Sequence, residues 1–220
     1  MELPTEQPKQ TGTPSNRGGE ITQRHLERMG IPKRHWYCTL EKIPSECPHK
    51  ARILDWIEHV EHRVKDSQGL LLMGDYSMGK TGLASICLKA ACQRGIIGYW
   101  ITARAYPQQV IQQHAFDQKY SVQDRAETVP LLVIDELQVR EGNVKFSEQA
   151  IEHLVRTRID ANLCTIITTN HNTEFLKDHY QALTEALREA VTPIVVTGHN
   201  FREDRQKEFT DGRRPGPETA

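Results

Sequence analysis

Apolar residues in this chain gather in short unbroken runs, and between the runs they recur at helical spacing. Gly69-Leu70-Leu71-Leu72-Met73, residues 96–102, Leu131-Leu132-Val133-Ile134, Cys164-Thr165-Ile166-Ile167-Thr168 and Ile194-Val195-Val196-Thr197 each read as a strand. Runs that are apolar on both faces suit parallel strands covered from both sides. After the first run, Leu83, Ile86, Cys87, Ala90 and Ala91 form the stripe of a helix that Gly95 stops. Pro107 suits the first turn of a helix carrying Val110, Ile111 and His114. Ser147 is placed to cap a helix with Ile151, Leu154, Val155 and Ile159. Asn172 is placed to cap one with Tyr180, Leu183, Leu187 and Val191. Strands alternating with helices predict an α/β fold with a parallel sheet between two helical layers. A ligand of such a sheet sits at the carboxyl ends of the strands.

The ends of the chain are more polar. Residues 1–20, rich in Pro, Gly, Thr, Gln and Ser, are expected to be disordered. Residues 21–68 read as a short helical lead-in to a core over residues 69–203. Residues 21–30 predict a helix ended by Gly30, and residues 48–65 a single amphipathic helix with Ile53, Trp56, Ile57, Val60 and Val64 as its stripe. Residues 204–220 are charged, then Pro/Gly-rich, and are expected to fray.

Composition narrows the picture modestly. Net charge is −1 over 220 residues, so no global basic footprint announces nucleic acid, and any contact with DNA has to be local. No run approaches the ~18 apolar residues of a membrane span, and the amino terminus carries no apolar signal core. Five cysteines, an odd number without metal-ligand spacing, suggest a reduced, cytoplasmic protein.

The chemistry begins at Gly74-Asp75-Tyr76-Ser77-Met78-Gly79-Lys80-Thr81. This is the G-x-x-x-x-G-K-T spacing of a phosphate-binding P-loop, or Walker A motif. Glycines let such a loop wrap a triphosphate, and its N–H groups point inward at the phosphates. The amino-terminal end of the following helix adds partial positive charge, and the candidate nucleotide-binding residues run from Gly74 through Gly82. Lys80 is the candidate for the β- and γ-phosphates, and the Thr81 hydroxyl for Mg²⁺. The strand before the loop and the helix after it are the context the motif requires.

Ile134 leads into Asp135-Glu136, an apolar strand ending in two carboxylates, which is the Walker B pattern. Asp135 is the candidate Mg²⁺ ligand, acting through water because Mg²⁺ keeps much of its hydration shell. Glu136 is the candidate general base for the attacking water. Thr168-Thr169-Asn170 ends the fourth strand, where Asn170 is placed to contact the γ-phosphate or the water. ATP and Mg²⁺ are the expected cofactors.

Together these motifs resemble the AAA+ ATPases, and more narrowly the DnaC/IstB group of helicase loaders and transposition ATPases. Met29-Gly30-Ile31-Pro32, the two Walker motifs, Ile167-Thr168-Thr169-Asn170 and Gly198-His199-Asn200-Phe201-Arg202 carry the resemblance. It implies a three-layer αβα P-loop NTPase with strand order 5-1-4-3-2 and no carboxyl-terminal helical lid. The length agrees, since only about 20 residues follow the last predicted strand, too few for a packed helical domain. The resemblance also implies ATP hydrolysis, assembly into a homo-oligomer when ATP is bound, and single-stranded DNA and a replicative helicase as partners. A transposase is the partner in the IstB-like alternative, and a nucleotide-dependent switch with little turnover is a further one. Family members carry a substantial amino-terminal domain that grips the helicase; here residues 21–68 are what is available. The family's arginine finger falls just before the last strand. Ala186 takes its place, with Arg188 half a turn away, so either Arg188 serves or the finger is lost.

Other signals are weaker. Lys33-Arg34-His35-Trp36-Tyr37 is basic and aromatic, suited to single-stranded nucleic acid, to the adenine, or to covering the sheet edge. His59 and His62, with Glu58 and Glu61, lie on the polar flank of a helix and suit a solvated face better than a metal site. Arg156 and Arg158 are candidates to face a neighbouring subunit.

Overall fold

The computed structural model describes residues 20–116, 121–138, 144–179 and 181–198. The lead-in contains α1 (Gln23–Met29), two short 3-10 turns (Lys33–His35 and Leu40–Lys42), α2 (Lys50–Glu58) and α3 (Val60–Lys65). Then come β1 (Gly69–Met73), α4 (Lys80–Gln93), β2 (Gly98–Thr102), α5 (Ala105–Phe116), α6 (Val122–Thr128), β3 (Leu131–Leu137) and α7 (Val144–Asp160). The chain continues through β4 (Cys164–Thr169), α8 (Thr173–His179), α9 (Gln181–Ala190) and β5 (Val191–Val195).

The strands pair in parallel in the order β2-β3-β4-β1-β5, which is the predicted 5-1-4-3-2. Every residue of β1 and β4 is buried, as their unbroken apolar runs require. Two hydrophobic clusters flank the sheet. One joins Leu70, Leu72, Val133 and Ile166 to α4 and to Leu26, Ile31, Ile53 and Trp56 of the lead-in. The other joins Leu71, Ile134 and Ile167 to helices α5 through α9. The helix after β1 therefore lies on one face and the later helices on the other. That reversal opens a crevice at the carboxyl end of β1.

Residues 20–68 do not stand apart from the core. They run as a strap across the α4 face, from the β2 edge to the β5 edge. At the first edge Arg125 donates to the Arg28 carbonyl and its guanidinium lies 4.0 Å from the Tyr99 ring centroid. At the other, Arg52 Nη2 donates to the Pro193 carbonyl at 3.0 Å. Pro193, which lacks an N–H, sits on the outermost strand, where that costs no ladder bond.

Several elements differ from the sequence reading. Residues 48–65 form two helices, because the chain leaves helical geometry at His59 (φ −105°, ψ 20°). The apolar stripe survives the break: Ile53, Trp56, Val60 and Val64 are all buried. Helix α7 begins at Val144, so Ser147 lies inside it and not at its cap position. The last strand starts at Val191, which is taken from the helix stripe, and ends at Val195. Its pairing with β1 from Gly69↔Val191 to Met73↔Val195 sets that register. Helix α6 has no counterpart in the prediction, although Ser121 caps it by accepting from Asp124 N at 2.9 Å. Asn172 caps α8, accepting from Phe175 N at 2.8 Å, whereas Leu183 and Leu187 of the predicted stripe lie in the separate helix α9. Tyr180, His199, Asn200, Phe201, Arg202 and the predicted tail and amino-terminal disorder fall outside the described residues.

Candidate functional site

The loop from Gly74 to Lys80 is shaped by left-handed backbone. Ser77 (φ 69°) and Gly79 (φ 87°) both adopt it, and such alternation turns successive N–H groups to one side as an anion nest. Gly74 (φ 144°) is needed for a second reason. A side chain there would meet the Val196 carbonyl oxygen at 2.2 Å, because the chain leaving β5 passes directly alongside. Lys80 is nearly buried, and its Nζ donates to the Gly74 and Asp75 carbonyls at 2.7 and 2.6 Å. Its ammonium therefore already lies inside the curve of the loop. Met78 packs on the α4-side cluster, Tyr76 stands exposed, and Gly82 abuts Cys38 of the strap.

Strand β3 delivers the carboxylates through a bulge. Ile134 pairs with Ile167 and Leu137 with Thr169, so Asp135 and Glu136 together face the single residue Thr168. The extra residue puts Glu136 in the left-handed region (φ 59°), which costs a non-glycine residue on the order of 1 kcal/mol. Thr168 secures this arrangement. Its hydroxyl accepts from Glu136 N at 2.9 Å and donates to Asp135 Oδ1 at 2.6 Å. Thr81 Oγ1 donates to the same oxygen at 3.1 Å, tying Walker A to Walker B.

Asp135 is buried, and its Oδ2 has no hydrogen-bond partner among the described residues. Burial raises its pKa above the ordinary carboxylate value, while the Thr168 and Thr81 hydrogen bonds, and more weakly Arg34, pull the other way. A buried anionic oxygen left bare, beside a threonine hydroxyl, is the donor set a hydrated Mg²⁺ requires. The residues present thus fit the metal the motifs imply. Glu136 is half-exposed and lies 4.0 Å from Arg34 Nη2.

Asn170 comes next to this group by topology. Thr169 aligns with Met73 on one side and Leu137 on the other, so the following residue stands level with Gly74 and Gln138, just past the bulge. Thr169 itself is occupied, donating to the Leu137 carbonyl at 2.7 Å and accepting from His171 N at 3.1 Å. Arg188 does not join this group. It precedes Val191, which aligns with Gly69 at the opposite end of β1, and it pairs with Glu185 at 3.2 Å.

The backbone of the Lys33–Tyr37 run and the side chain of Arg158 pack on the core, while Lys33, Arg34, Tyr37 and Arg156 stand exposed. Lys33 to Tyr37 lies against α4, with Lys89 Nζ donating to the Trp36 carbonyl at 3.0 Å and to that of Cys38. Arg158 is fully buried and cannot face a neighbour, whereas Arg156 is exposed and pairs with Glu152 at 2.9 Å. Among the described residues no group of His, Cys, Asp and Glu is placed to hold a metal on its own, and His59 pairs with Asp55. No described helix is long and apolar enough to cross a membrane. Thr168 and Arg34 belong to motifs already quoted, but sequence reasoning gives neither a task of its own at this site. The Thr-Thr-Asn motif contained the first, but only the bulge gives it a task.

Sheet order, P-loop and the bulge at Asp135-Glu136 are those of the AAA+-type P-loop fold. No protein-family model and no curated protein matches the sequence. Solved structures do share its fold. The DnaC helicase loader aligns at 21% identity and TM-score 0.65, over 76% of this chain and 100% of that one. DnaI aligns at 19% and 0.63, over 81% and 99%. AMPPCP-bound DnaA from Aquifex aeolicus aligns at 15% and 0.63, over 86% of this chain and 59% of that one. At these identities the likeness is one of fold, and it agrees with the DnaC/IstB resemblance drawn from the motifs.

Proposed function

We propose that this chain is an ATP-binding and ATP-hydrolysing AAA+ protein that acts in DNA replication as a replicative helicase loader. The observation that carries the reading is the joined pair of motifs: Thr81 and Asp135 share a hydrogen bond at the mouth of a loop that already holds the Lys80 ammonium. Residues Gly74, Asp75, Tyr76, Ser77, Met78, Gly79, Lys80, Thr81 and Gly82 bind the nucleotide. Lys80 neutralises the phosphates, and Thr81 and Asp135 hold Mg²⁺, which supplies charge neutralisation at the transferred phosphoryl group. Glu136, aimed by the bulge, orients a water and takes its proton. Asn170 fixes the water or the γ-phosphate. The likeness to AMPPCP-bound DnaA supports the nucleotide, and the likeness to DnaC and DnaI supports the helicase as partner. Residues 69–203 form the ATPase core and residues 21–68 its lead-in, in a cytoplasmic protein that oligomerises when ATP is bound and contacts single-stranded DNA.

Arg188 lies too far from its own P-loop to act there and serves a neighbouring subunit's nucleotide. Ala186 at the family's arginine-finger position supports a second reading, a nucleotide-dependent switch with little turnover. An IstB-like transposition helper would use the same core. One experiment separates these readings. Glu136→Gln should bind ATP and lose about two to four powers of ten in hydrolysis. Used as ATP-loaded bait in native extract, it should recover a hexameric helicase, with Lys80→Ala, which cannot bind ATP, recovering none. Recovery of a transposase would favour the IstB-like reading. Wild-type turnover as slow as that of Glu136→Gln would favour the switch.

A further inference from the structure

The strap brings a cation to the Walker B glutamate. The 3-10 turn Lys33–His35 is fastened to α4, the helix that the P-loop opens. Lys89 Nζ donates to the carbonyl of Trp36 at 3.0 Å, and Ser85 Oγ, which donates to the Gly82 carbonyl at 2.7 Å, lies 3.3 Å from the His35 carbonyl. Trp36 Nε1 donates to the carbonyl of buried Ile31 at 2.7 Å, and the His35 ring stacks on Trp100. The backbone of Arg34 is therefore positioned by the same helix that positions Lys80. Its guanidinium points to the site: Nε donates to His35 Nε2 at 2.8 Å and Nη2 stands 4.0 Å from Glu136 Oε1. The two side chains are 56% and 48% exposed. An ion pair so exposed does little to hold the fold. At 4.0 Å it is not a hydrogen bond, and the contact is easily exchanged.

We propose that Arg34 reads the terminal phosphate of the nucleotide bound in its own subunit, a role that rests on the ATPase reading above. Without the γ-phosphate, Arg34 attracts the Glu136 carboxylate. The γ-phosphate is a stronger anion, matched to the planar fork of a guanidinium, and draws Arg34 away. Glu136 is then released to the water it activates. The strap thereby couples triphosphate recognition to the base, with no contribution from a neighbouring subunit.

The test is titration of the full chain, with Mg²⁺ and at concentrations where it is monomeric, against ADP and a non-hydrolysable ATP analogue. Arg34→Ala should lose about ten- to a hundredfold in affinity for the triphosphate, the range of a charge-assisted hydrogen bond. Its affinity for ADP should stay within about twofold, since ADP lacks the group that Arg34 reads. Arg34→Lys, which keeps the charge, should recover part of the loss. Lys33→Ala removes a neighbouring positive charge and should change neither affinity. Equal losses for both nucleotides, no loss for either, or the same loss in Lys33→Ala would overturn the inference. Wild-type protein that binds neither nucleotide would instead remove the ATPase reading, and this role with it.

Discussion

Two buried charges lie at opposite ends of the same sheet and are treated in opposite ways. At the amino-terminal end, Arg158 spends four of its N–H groups inside the protein. Nε donates to Thr165 Oγ1 at 2.9 Å, Nη1 to the Ala126 and Val129 carbonyls at 2.7 and 2.9 Å, and Nη2 to the Cys164 carbonyl at 2.6 Å. Burial lowers its pKa only to about 10, so it stays charged at neutral pH. At the carboxyl end, Asp135 has two hydroxyl partners on one oxygen and none on the other. A buried charge is tolerated when its hydrogen bonds are complete, and costs stability when they are not. The complete set reads as architecture, tying α6, α7 and the starts of β3 and β4 together. The incomplete set reads as a site waiting for a ligand.

Substitutions at four positions would break or sharpen that contrast. Arg158→Met should have the largest effect, since it leaves several buried carbonyls and the Thr165 hydroxyl unpaired. A loss of at least about 3 kcal/mol in urea unfolding is expected, with nucleotide affinity unchanged in the molecules that stay folded. Thr168→Val should slow turnover by about ten- to a hundredfold at nearly unchanged ATP affinity, because the bulge loses the hydroxyl that holds Glu136 N. Thr168→Ser should restore it, and a valine variant with full kcat would show that the bulge holds itself. Thr165→Val removes one of Arg158's acceptors and should cost about 1–2 kcal/mol in the same unfolding measurement.

Asp135→Asn should act with the opposite sign. It removes a poorly compensated charge and should raise the melting temperature by about 2–5 °C, while Mg²⁺-dependent nucleotide binding is lost. The pH dependence follows from the raised pKa of Asp135. The folded state holds that proton more tightly than the unfolded chain, so the penalty is present at neutral pH and is relieved as pH falls through the raised value. The advantage of asparagine should shrink on acidification. A melting temperature lower than wild type at neutral pH would mean that Asp135 is compensated after all.

Much of this was legible before any coordinates. A P-loop needs its glycines and lysine contiguous, so the nine residues from Gly74 to Gly82 could be named from spacing alone. Asp135 and Glu136 were legible for a similar reason: an apolar strand has to end before two carboxylates can follow. What stayed hidden depends on register or on burial. The break at His59 leaves the apolar stripe intact, so periodicity does not reveal it. Arg158 and Arg156 are two residues apart on one helix and look alike in sequence, yet one is inside and the other in solvent.

The sequence by itself determined the strand and helix alternation, the phosphate loop and the two carboxylates, because each depends on residues that are neighbours along the chain. Tertiary structure alone decided that Thr168 secures the Walker B bulge and that the strap before β1 brings Arg34 to Glu136. It also decided that Arg188 stands at the far end of the sheet. These are pairings across strands and faces, fixed by register and packing. No local pattern carries them.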